Sequence, residues 1–356
     1  MAETALRILQ INTERGWRGG ERQTLLTAVG LRARGHDVEL LLRNGSALAE
    51  RARALGLVVH TAGGGFSFGC WLALHGGRYD VLHAQTAKVV AWVVAVAPAH
   101  RRPVVFSRRT SFPVGAGGWL TRLKWCRLDQ MVAISEAAAQ APRALGVSTQ
   151  VIPSAVLPIP VDASRIQLFL KHRMLEGRRL VGTAAALSVE KDPVTLIQAA
   201  AKVCAQFEDV VFVHWGAAGA ASHAAQQAIA ELGLQERYLL LGFESEVEQL
   251  FVALSVFVMA SRYEALGSSV LDAMLQNVPV VSTDAGGLKE TVCAGRGLVC
   301  APGDPDTMAA HISFMLAQPE QARAMAAVAC AAVRAEYAVD GMVERYLEVY
   351  REVLEH

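Results

Sequence analysis

Short apolar runs that alternate with segments of helical period are the feature that most limits how this chain can fold. Five runs lie in the first half, at residues 6–11, 38–42, 81–83, 104–106 and 131–134. Five more lie in the second half, at residues 180–183, 210–215, 238–241, 256–259 and 278–282. Strands that alternate with helices indicate βαβ units and parallel sheets. The sequence therefore predicts an α/β fold with two doubly wound domains.

The composition is compatible with two globular domains. The chain has 356 residues, of which 53% are hydrophobic and 19% charged, a balance typical of parallel sheets that are buried on both faces. The apolar stretch at residues 89–98 is too short to span a bilayer, and residues 1–10 lack the pattern of a signal peptide. Six cysteines are scattered without a close Cys-x-x-Cys pair, which predicts a cytoplasmic protein and argues against a zinc site.

The net charge of +1 hides two oppositely charged halves. Residues 1–165 contain 20 Lys and Arg against 10 Asp and Glu, whereas the remainder contains 14 against 23. This asymmetry indicates that the first half faces something anionic. The alternative is a chance segregation of solvated surface charges.

Prolines mark the expected boundary between the domains. Pro153, Pro158 and Pro160 lie within residues 151–162, where they prevent both helix continuation and central strand pairing. This segment is predicted to be a linker. Near the end of the chain, residues 342–354 place apolar side chains on one stripe of an amphipathic helix.

The densest candidate site lies within residues 240–287. A predicted strand there leads to Glu264 and Gly267, then to a helix that bears Asp272, a further strand and the turn 286–287. The carboxyl end of a strand would deliver Glu264 to a crevice. Gly267 would let the backbone approach a ligand at a helix N-terminus, where unpaired amides favour a phosphate.

This block resembles the donor-site signature of the family 4 retaining glycosyltransferases, which have the GT-B fold. Those enzymes carry two glutamates in this block, and Glu264 and Asp272 stand at the matching positions, the second with a side chain one methylene shorter. The resemblance covers nearly the whole chain and implies two Rossmann-like doubly wound domains that face a cleft. It assigns residues 1–160 to an acceptor-side domain and 161–339 to the nucleotide-sugar donor domain, with a helix at 340–356 that packs back on the first domain.

Two further loops match the family in part. Lys191 aligns with the family's lysine for the donor diphosphate, whereas Ala186 stands in place of an arginine that clamps the same group. Arg108 and Arg109 stand where many relatives place a histidine that touches the transferred sugar. We expect one of these two arginines to supply the positive charge that is missing at Ala186. Two ordinary surface arginines are the alternative.

The resemblance implies a complete set of site residues. The catalytic candidates are Glu264, Lys191 and Arg109. The donor-binding candidates are Gly19, Gly20, Arg108, Gly216, Phe243, Leu266, Gly267, Ser268, Ser269 and Asp272. His83 and Arg18 are acceptor-side candidates, although His83 also fits a hydrogen-bonded structural histidine. No metal and no cofactor are expected, because the nucleotide sugar, with a UDP-sugar favoured, is a substrate.

Two other segments carry separate hypotheses. The sequence at 304–306 resembles an Asp-x-Asp metal motif, but its position after a Pro-Gly turn favours helix capping by Asp304. Residues 119–127 interleave Arg122, Lys124 and Arg127 with tryptophan and leucine, a composition typical of a helix at an anionic membrane surface. The alternatives are a basic face whose apolar residues lie in the core, and nucleic-acid binding, for which no motif is present.

The activity implied is transfer of a hexosyl or heptosyl group from a nucleotide sugar, with retained anomeric configuration and no metal requirement. The expected acceptor is a glycan or glycolipid such as lipopolysaccharide core, reached at the inner face of the plasma membrane by a peripheral cytoplasmic enzyme. A nucleotide-sugar epimerase of the same architecture is one alternative, and it would need further acid and base carboxylates. A non-catalytic glycan- or lipid-binding relative is the other.

Overall fold

The computed structural model describes residues 4–112, 118–293 and 295–355. The chain divides into two compact units. Unit 1 comprises Met1–Ala155 and Tyr337–His356, and unit 2 comprises Val156–Glu336. Each unit contains one parallel β-sheet with helices packed on both faces. The expected α/β architecture with two doubly wound sheets is therefore confirmed.

The described residues of unit 1 form seven strands and eight α-helices. The strands are β1 (Arg7–Asn12), β2 (Asp37–Arg43), β3 (Val58–Ala62), β4 (Val81–Ala84), β5 (Val104–Arg108), β6 (Gln130–Ala133) and β7 (Thr149–Val151). The α-helices are α1 (Gly19–Ala33), α2 (Ala47–Ala54), α3 (Gly65–His75), α4 (Ala87–Ala95), α5 (Ala97–His100), α6 (Gly118–Trp125), α7 (Glu136–Ala144) and, from the last segment, α15 (Val339–Glu355). A 3-10 turn, Gly76–Arg78, follows α3. The sheet order is β3-β2-β1-β4-β5-β6-β7.

Unit 2 repeats this plan with six strands. They are β8 (Arg179–Ala184), β9 (Val210–Trp215), β10 (Tyr238–Gly242), β11 (Leu254–Met259), β12 (Val280–Thr283) and β13 (Leu298–Cys300). The α-helices are α8 (Ala163–His172), α9 (Pro193–Gln206), α10 (Ser222–Glu231), α11 (Ser268–Leu275), α12 (Leu288–Thr291), α13 (Pro305–Ala317) and α14 (Pro319–Glu336). Val189–Lys191 and Val247–Ala253 are 3-10 helices. The sheet order is β10-β9-β8-β11-β12-β13.

Alternation along the strands of unit 1 supplies apolar side chains to two helical layers. Leu40 on β2 packs with α1, α2 and α15. The next residue, Leu41, packs on the opposite face with α3, α4 and α6. Because successive side chains of a strand point to opposite faces, a central strand buried on both sides reads as a continuous apolar run.

All ten strands expected from the sequence are present, with ends that shift by a few residues. Three further strands, β3, β7 and β13, were not predicted from the apolar pattern. Each lies at the edge of its sheet, and β7 and β13 have only three residues. An edge strand is covered less completely than a central one, so its sequence needs no long apolar run.

Both sheets have a point where the strand order reverses. In unit 1 this point lies between β1 and β4, and in unit 2 it lies between β8 and β11. Doubly wound folds bind ligands in the crevice outside the carboxyl ends of the strands at such a switch point. The loops that follow β1, β8 and β11 are therefore the ones that position a site.

Two contacts hold the ends of unit 1. Gln23 on α1 donates from Nε2 to the carbonyl of Ala155 at 2.6 Å, and its Oε1 accepts from the amide of Ala155 at 2.9 Å. Ala155 lies within residues 152–162, which contain no helix or strand. The last helix, α15, packs against α1, where Gly30 lies under Val343.

Substitution of two helical glycines should have opposite effects on stability. A Cβ at Gly30 would lie 2.5 Å from Cγ2 of Val343, whereas a Cβ at Gly341 would meet nothing within 4 Å. We expect Gly30→Ala to destabilise the chain by about 1–3 kcal/mol through overpacking. Gly341→Ala should stabilise it by up to about 1 kcal/mol, because alanine favours the helix. Urea unfolding of both variants measures the difference, and equal effects would show that α15 does not pack on α1 as described.

Candidate functional site

An ion pair joins two loops at the switch point of unit 2. Lys191 ends the 3-10 helix after β8, and its Nζ donates to Oε2 of Glu264 in the loop after β11. The two side chains are 24% and 14% exposed, respectively, so both charges are largely removed from water. Because β8 and β11 are neighbours in the sheet, residues 73 positions apart meet. Two of the predicted catalytic residues therefore lie in direct contact.

Gly286 and Gly287 support the loop that presents Glu264. The amide of Gly287 donates to the carbonyl of Glu264 at 3.0 Å. A Cβ at Gly286 would lie 2.1 Å from the carbonyl oxygen of Glu264, and one at Gly287 would lie 2.1 Å from that of Ala265. Only glycine permits so close an approach of two backbones. The glycine turn thus packs directly on the Glu264 loop.

The helix after this loop turns its N-terminus toward the same edge of the sheet. Gly267, with a φ of +87°, precedes α11, which begins with Ser268 and Ser269. First-turn amides have no acceptor within the helix and attract anions. Leu266 is only 2% exposed, and its contact with a donor stays a prediction. Asp272 is 6% exposed and is the fifth residue of α11, so it lies about one turn from the helix start.

His214 on β9 anchors the loop in which Ala186 replaces the family's arginine. Its Nε2 donates to the carbonyl of Ala185 at 2.9 Å, and its Nδ1 accepts from the hydroxyl of Tyr238 at 2.9 Å. Burial lowers the pKa of His214 to about 4, although the bond to Ala185 opposes the shift, so the ring is neutral at pH 7. Gly216 packs on the same loop, because a Cβ there would lie 1.8 Å from the carbonyl oxygen of Ala185. Gly216 has this packing role, and its contact with a donor stays a prediction.

A second ion pair ties these loops together and was not expected from the sequence. Arg262 donates from Nε to Oδ2 of Asp192 at 2.7 Å, and its amide donates to the carbonyl of Glu190 at 2.8 Å. Asp192 also caps α9 by accepting from the amide of Thr195. Asp192 could have been proposed as a site residue from the sequence, because it directly follows Lys191. Asp192 and Arg262 thus fix the spacing of the two loops that carry the catalytic candidates.

In unit 1 the glycine-rich turn and Arg109 come together. Gly19 and Gly20 are the first two residues of α1, and Cδ of Arg109 lies 3.6 Å from the place of a Cβ on Gly20. The guanidinium of Arg109 donates to Oε1 of Gln85 at 2.6 Å and to Oγ of Ser154 at 3.2 Å. Arg109 is therefore held rigidly beside the N-terminus of α1.

Arg108 points away from this position. Its guanidinium carbon lies 5.3 Å from the centre of the Trp125 ring, and its Nη2 donates to the carbonyl of Phe112. Trp125 belongs to the layer of α3, α4 and α6, whereas Arg109 contacts residues of the opposite layer. The structure does not bring Arg108 together with the glycine-rich turn, and its role at a donor stays a prediction.

His83 belongs to a buried hydrogen-bond network. The side chain is fully buried, and its ring nitrogens bond to the hydroxyl of Tyr350 at 2.6 Å and to Oγ of Ser107 at 2.7 Å. Ser107 bonds in turn to the hydroxyl of Tyr346 at 2.8 Å. Burial, assisted by the charge of Arg109, lowers the pKa of His83. These contacts favour the structural role over an acceptor contact, because no surface of His83 is accessible.

Arg18 and Phe243 are exposed in loops that follow β1 and β10. The amide of Arg18 donates to Oε2 of Glu21 at 3.0 Å, and Phe243 is 64% exposed. Glu21, which was not among the predicted residues, is only 4% exposed. Burial raises its pKa, and the hydrogen bond from Asn12 opposes this. A carboxyl group with a shifted pKa beside the glycine-rich turn is a feature that is common at functional sites.

Asp304 has the capping role predicted for it. Its Oδ1 accepts from the amide of Thr307 at 3.0 Å at the start of α13, and this hydrogen bonding lowers the pKa of Asp304. Within the described residues, no group of three or more His, Cys, Asp or Glu side chains is placed to hold a metal ion. None of the described helices is long and apolar enough to cross a membrane.

The short helix α6 carries apolar side chains on its outer surface. Trp119, Leu120 and Leu123 are 69%, 56% and 47% exposed, whereas Trp125 is buried. One alternative placed the apolar residues of this segment in the core. It is correct for Trp125 and wrong for Trp119, Leu120 and Leu123. Lys124 lies with Leu120 and Leu123 along a groove of about 380 Å³ between α4 and α6.

Two family models match successive parts of the chain. The model of "Glycosyltransferase Family 4" matches residues 17–165, and that of "Glycosyl transferases group 1" matches residues 165–329. The 2-deoxystreptamine glucosyltransferase of Streptomyces kanamyceticus is 32% identical over 178 residues, which are 48% of this chain and 45% of that enzyme. The lipopolysaccharide core biosynthesis mannosyltransferase LpcC of Rhizobium leguminosarum is 28% identical over 51% of this chain and 53% of its own. The chain spans about half the length of the relatives it matches.

Solved structures resemble the chain over almost its full length. HepE of Anabaena, crystallised in complex with UDP and glucose, aligns with a TM-score of 0.86 at 21% identity and covers 97% of this chain and 99% of its own. A glycosyltransferase from Rickettsia africae aligns with a TM-score of 0.86 at 17% identity, over 99% of this chain and 100% of its own. At these identities the likeness shows the fold.

The neutral state of His214 should make the stability of the chain depend on pH. Its pKa of about 4 in the folded state lies below the unfolded value of about 6.5, so the unfolded chain binds more protons between these values. Stability present above pH 6.5 should fall by about 3 kcal/mol as the pH drops toward 4. Urea unfolding at several pH values measures this slope. His214→Asn should flatten the slope, whereas the matched variant of an exposed histidine on α10, His223→Asn, should keep it. An unchanged slope in His214→Asn would exclude His214 as its source.

Proposed function

The chain belongs to glycosyltransferase family 4 and has the GT-B fold, and we propose that it transfers a sugar from a nucleotide-sugar donor to a glycan or glycolipid acceptor. The observation that carries this proposal is the contact between Lys191 and Glu264 beside the N-terminus of α11. Cation, carboxylate and free helix amides together match the charges and hydroxyls of a sugar diphosphate. From the family we infer that the anomeric configuration is retained and that no metal is required.

Unit 2 is the proposed donor-binding unit. Lys191 and the amides of Ser268 and Ser269 would stabilise the diphosphate, whose negative charge grows as the sugar leaves. Glu264 would accept hydrogen bonds from the sugar, and Asp272 would accept them from the ribose. HepE of Anabaena was crystallised with UDP and glucose, which supports a UDP-sugar as the donor proposed here.

Arg109 is the residue we propose to compensate for Ala186. Its acceptors Gln85 and Ser154 are neutral, so neither cancels the positive charge of the guanidinium. Arg109 also lies against Gly20, in the turn that faces the donor phosphates in the family. A guanidinium that is fixed in this way stabilises a phosphate without a further entropic cost of ordering.

The acceptor we propose is a glycolipid of the bacterial envelope, such as lipopolysaccharide core. Relatives differ in this respect, because LpcC is named for lipopolysaccharide core and another relative for 2-deoxystreptamine. The exposed Trp119, Leu120 and Leu123 on α6, next to Arg122 and Lys124, favour the glycolipid. Such a surface suits a peripheral enzyme at an anionic membrane.

Removal of the Lys191–Glu264 pair should abolish transfer. We expect Glu264→Gln and Lys191→Met each to lower kcat by about a hundredfold or more, since each removes a charged contact to the reacting group. Nucleotide release from UDP-sugars is measured with and without a glycolipid extract as acceptor. Glu231→Gln, in the exposed face of α10, is the matched control. Normal transfer by the double variant of Glu264 and Lys191 would refute the assignment.

The same assay separates the alternatives. Nucleotide released only with acceptor indicates a transferase, an isomerised sugar indicates an epimerase, and neither product indicates a non-catalytic binding protein.

Arg109→Ala should weaken donor binding and turnover by about tenfold or more, the effect of losing one hydrogen-bonded charge. Unchanged donor affinity and turnover in Arg109→Ala would remove Arg109 from the site.

Binding to anionic vesicles should depend on α6. We expect the chain to float with phosphatidylglycerol vesicles and not with phosphatidylcholine vesicles. A double variant, Trp119→Ser with Leu123→Ser, should bind about tenfold or more weakly, because two large apolar side chains no longer enter the interface. The matched control is Val328→Ser on α14, a side chain that is 52% exposed. Equal flotation with both kinds of vesicle, or of both variants, would count against the membrane surface.

A further inference from the structure

A groove beside α3 in unit 1 lies outside the residues assigned above. Its volume is about 410 Å³, and it is open to solvent along its length. It lies at the carboxyl ends of β2 and β3, next to the first helix after β3. The walls are formed mainly by Asn44, Ala62, Phe66, Cys70, Trp71 and Leu74.

The outer stripe of α3 is apolar. Phe66 and Leu74 are 73% and 76% exposed, and Cys70, between them, is also exposed. These three residues recur every fourth position and so lie on one face of the helix. Single exposed apolar residues are ordinary on a protein surface, but a row of them along a groove marks an interaction site.

The groove is fixed by close packing rather than formed by mobile side chains. Trp92 on α4 lies against the α3 backbone, because a Cβ at Gly65 would be 2.2 Å from its Nε1 and one at Gly69 would be 3.0 Å from its Cε3. Phe66 stands edge-on to Trp92, with ring centres 6.2 Å apart. On the other side, the centre of the Trp71 ring lies 4.9 Å from that of His60. A groove that is already formed binds without the cost of ordering its walls.

The chemistry of the walls selects an apolar occupant with a negative end. The described residues that line the groove include no Asp, Glu, Lys or Arg. Arg43 directly precedes the lining residue Asn44 and pairs in register with the lining residue Ala62. Nε of Arg43 is buried and has no hydrogen-bond partner among the described residues. Arg43 and Ala62 share a face of the sheet, so the arginine places a positive charge beside the uncharged groove. This combination complements an apolar chain that carries an anionic group.

The position of the groove connects it with the proposed transferase site. All seven strands of unit 1 are parallel, so the carboxyl ends of β2 and β3 lie on the same edge of the sheet as the glycine-rich turn after β1. The groove also shares its layer of helices with α6, because α4 contacts both α3 and α6. The groove therefore lies on the same edge of the sheet as the glycine-rich turn and in the same helical layer as α6.

We propose that this groove binds the alkyl chain of an anionic lipid acceptor, with the anionic group beside Arg43. This inference rests on the proposed function and deepens it, since it selects a lipid-linked acceptor over a free aminocyclitol or oligosaccharide. Because burial of each CH₂ of an alkyl chain is favourable, the chain would dominate recognition while the glycan varies.

Cys70 offers a direct measure of occupancy. The full-length protein is alkylated with N-ethylmaleimide in the presence of dodecyl phosphate below its critical micelle concentration, and each cysteine is followed by peptide mass spectrometry. We expect dodecyl phosphate to slow alkylation of Cys70 by about tenfold at about ten times its Kd, because only the free form reacts. Cys293, which is also exposed, reports non-specific effects in the same molecules and should react unchanged.

Two other ligands and two variants complete the test. Inorganic phosphate should give no protection, and dodecyltrimethylammonium should protect less than dodecyl phosphate. Leu74→Glu should abolish protection, whereas Val328→Glu, at an exposed position of α14, should retain it. Arg43→Gln should weaken protection by dodecyl phosphate and leave that by dodecyltrimethylammonium unchanged.

Several results would overturn the proposal. These are unprotected Cys70, equal slowing of Cys293, protection by inorganic phosphate alone, or full protection in Leu74→Glu. If the cationic amphiphile protects as well as dodecyl phosphate, the contribution of Arg43 is excluded. The experiment requires no nucleotide sugar, so its failure leaves the donor-site variants as an independent test of transfer.

Discussion

Parallel pairing of strands distant in sequence is the constraint on which the site depends. In unit 2 β8 pairs with β11, and this pairing brings the carboxyl ends of two strands, and hence Lys191 and Glu264, to one place. The loops after the two strands are short and are fixed by the Asp192–Arg262 ion pair and by backbone hydrogen bonds to Glu190. A pair of opposite charges that is largely removed from water persists only where such contacts hold it. The sheet therefore determines where charge can be concentrated, and the loops determine how rigidly it is held.

The glycines of these turns allow one loop to pack closely on the backbone of another, and this role is separate from any contact with a ligand. Gly216 approaches the carbonyl of Ala185, and Gly286 and Gly287 approach the backbone of Glu264 and Ala265. In each case one loop at the edge of the sheet packs on the backbone of another, where any side chain would collide. Glycine-rich turns of this kind make the framework of the site rigid. Gly20 differs, because the atom nearest to the place of its Cβ belongs to a side chain, that of Arg109 at 3.6 Å, rather than to a backbone.

The sequence predicts the framework better than the direction of individual side chains. The two doubly wound sheets, Asp304 as a helix cap and the contact region around Glu264 follow from apolar period and motif order. Arg108 is the last residue of β5 and Arg109 directly follows it. Their opposite directions continue the alternation of the strand, although the motif alone treats them as equivalent. The burial of His83 could not be predicted, because its partner Tyr350 is 267 positions away on the helix that returns to unit 1. The short edge strands β3, β7 and β13 lack the apolar runs that identify central strands.

The two helical layers of unit 1 differ in their side chains: one contains a buried polar network, and the other leaves large apolar side chains exposed. On one face, α15 brings Tyr346 and Tyr350 to Ser107 and His83, and all four side chains are buried and hydrogen-bonded. A shift of α15 by one turn would leave these buried polar groups without partners, at a cost of about 1–3 kcal/mol each, so the network specifies a single position for the last helix. On the other face, α3 and α6 leave large apolar side chains in solvent. This uncovered apolar surface is explained by a partner that is itself apolar.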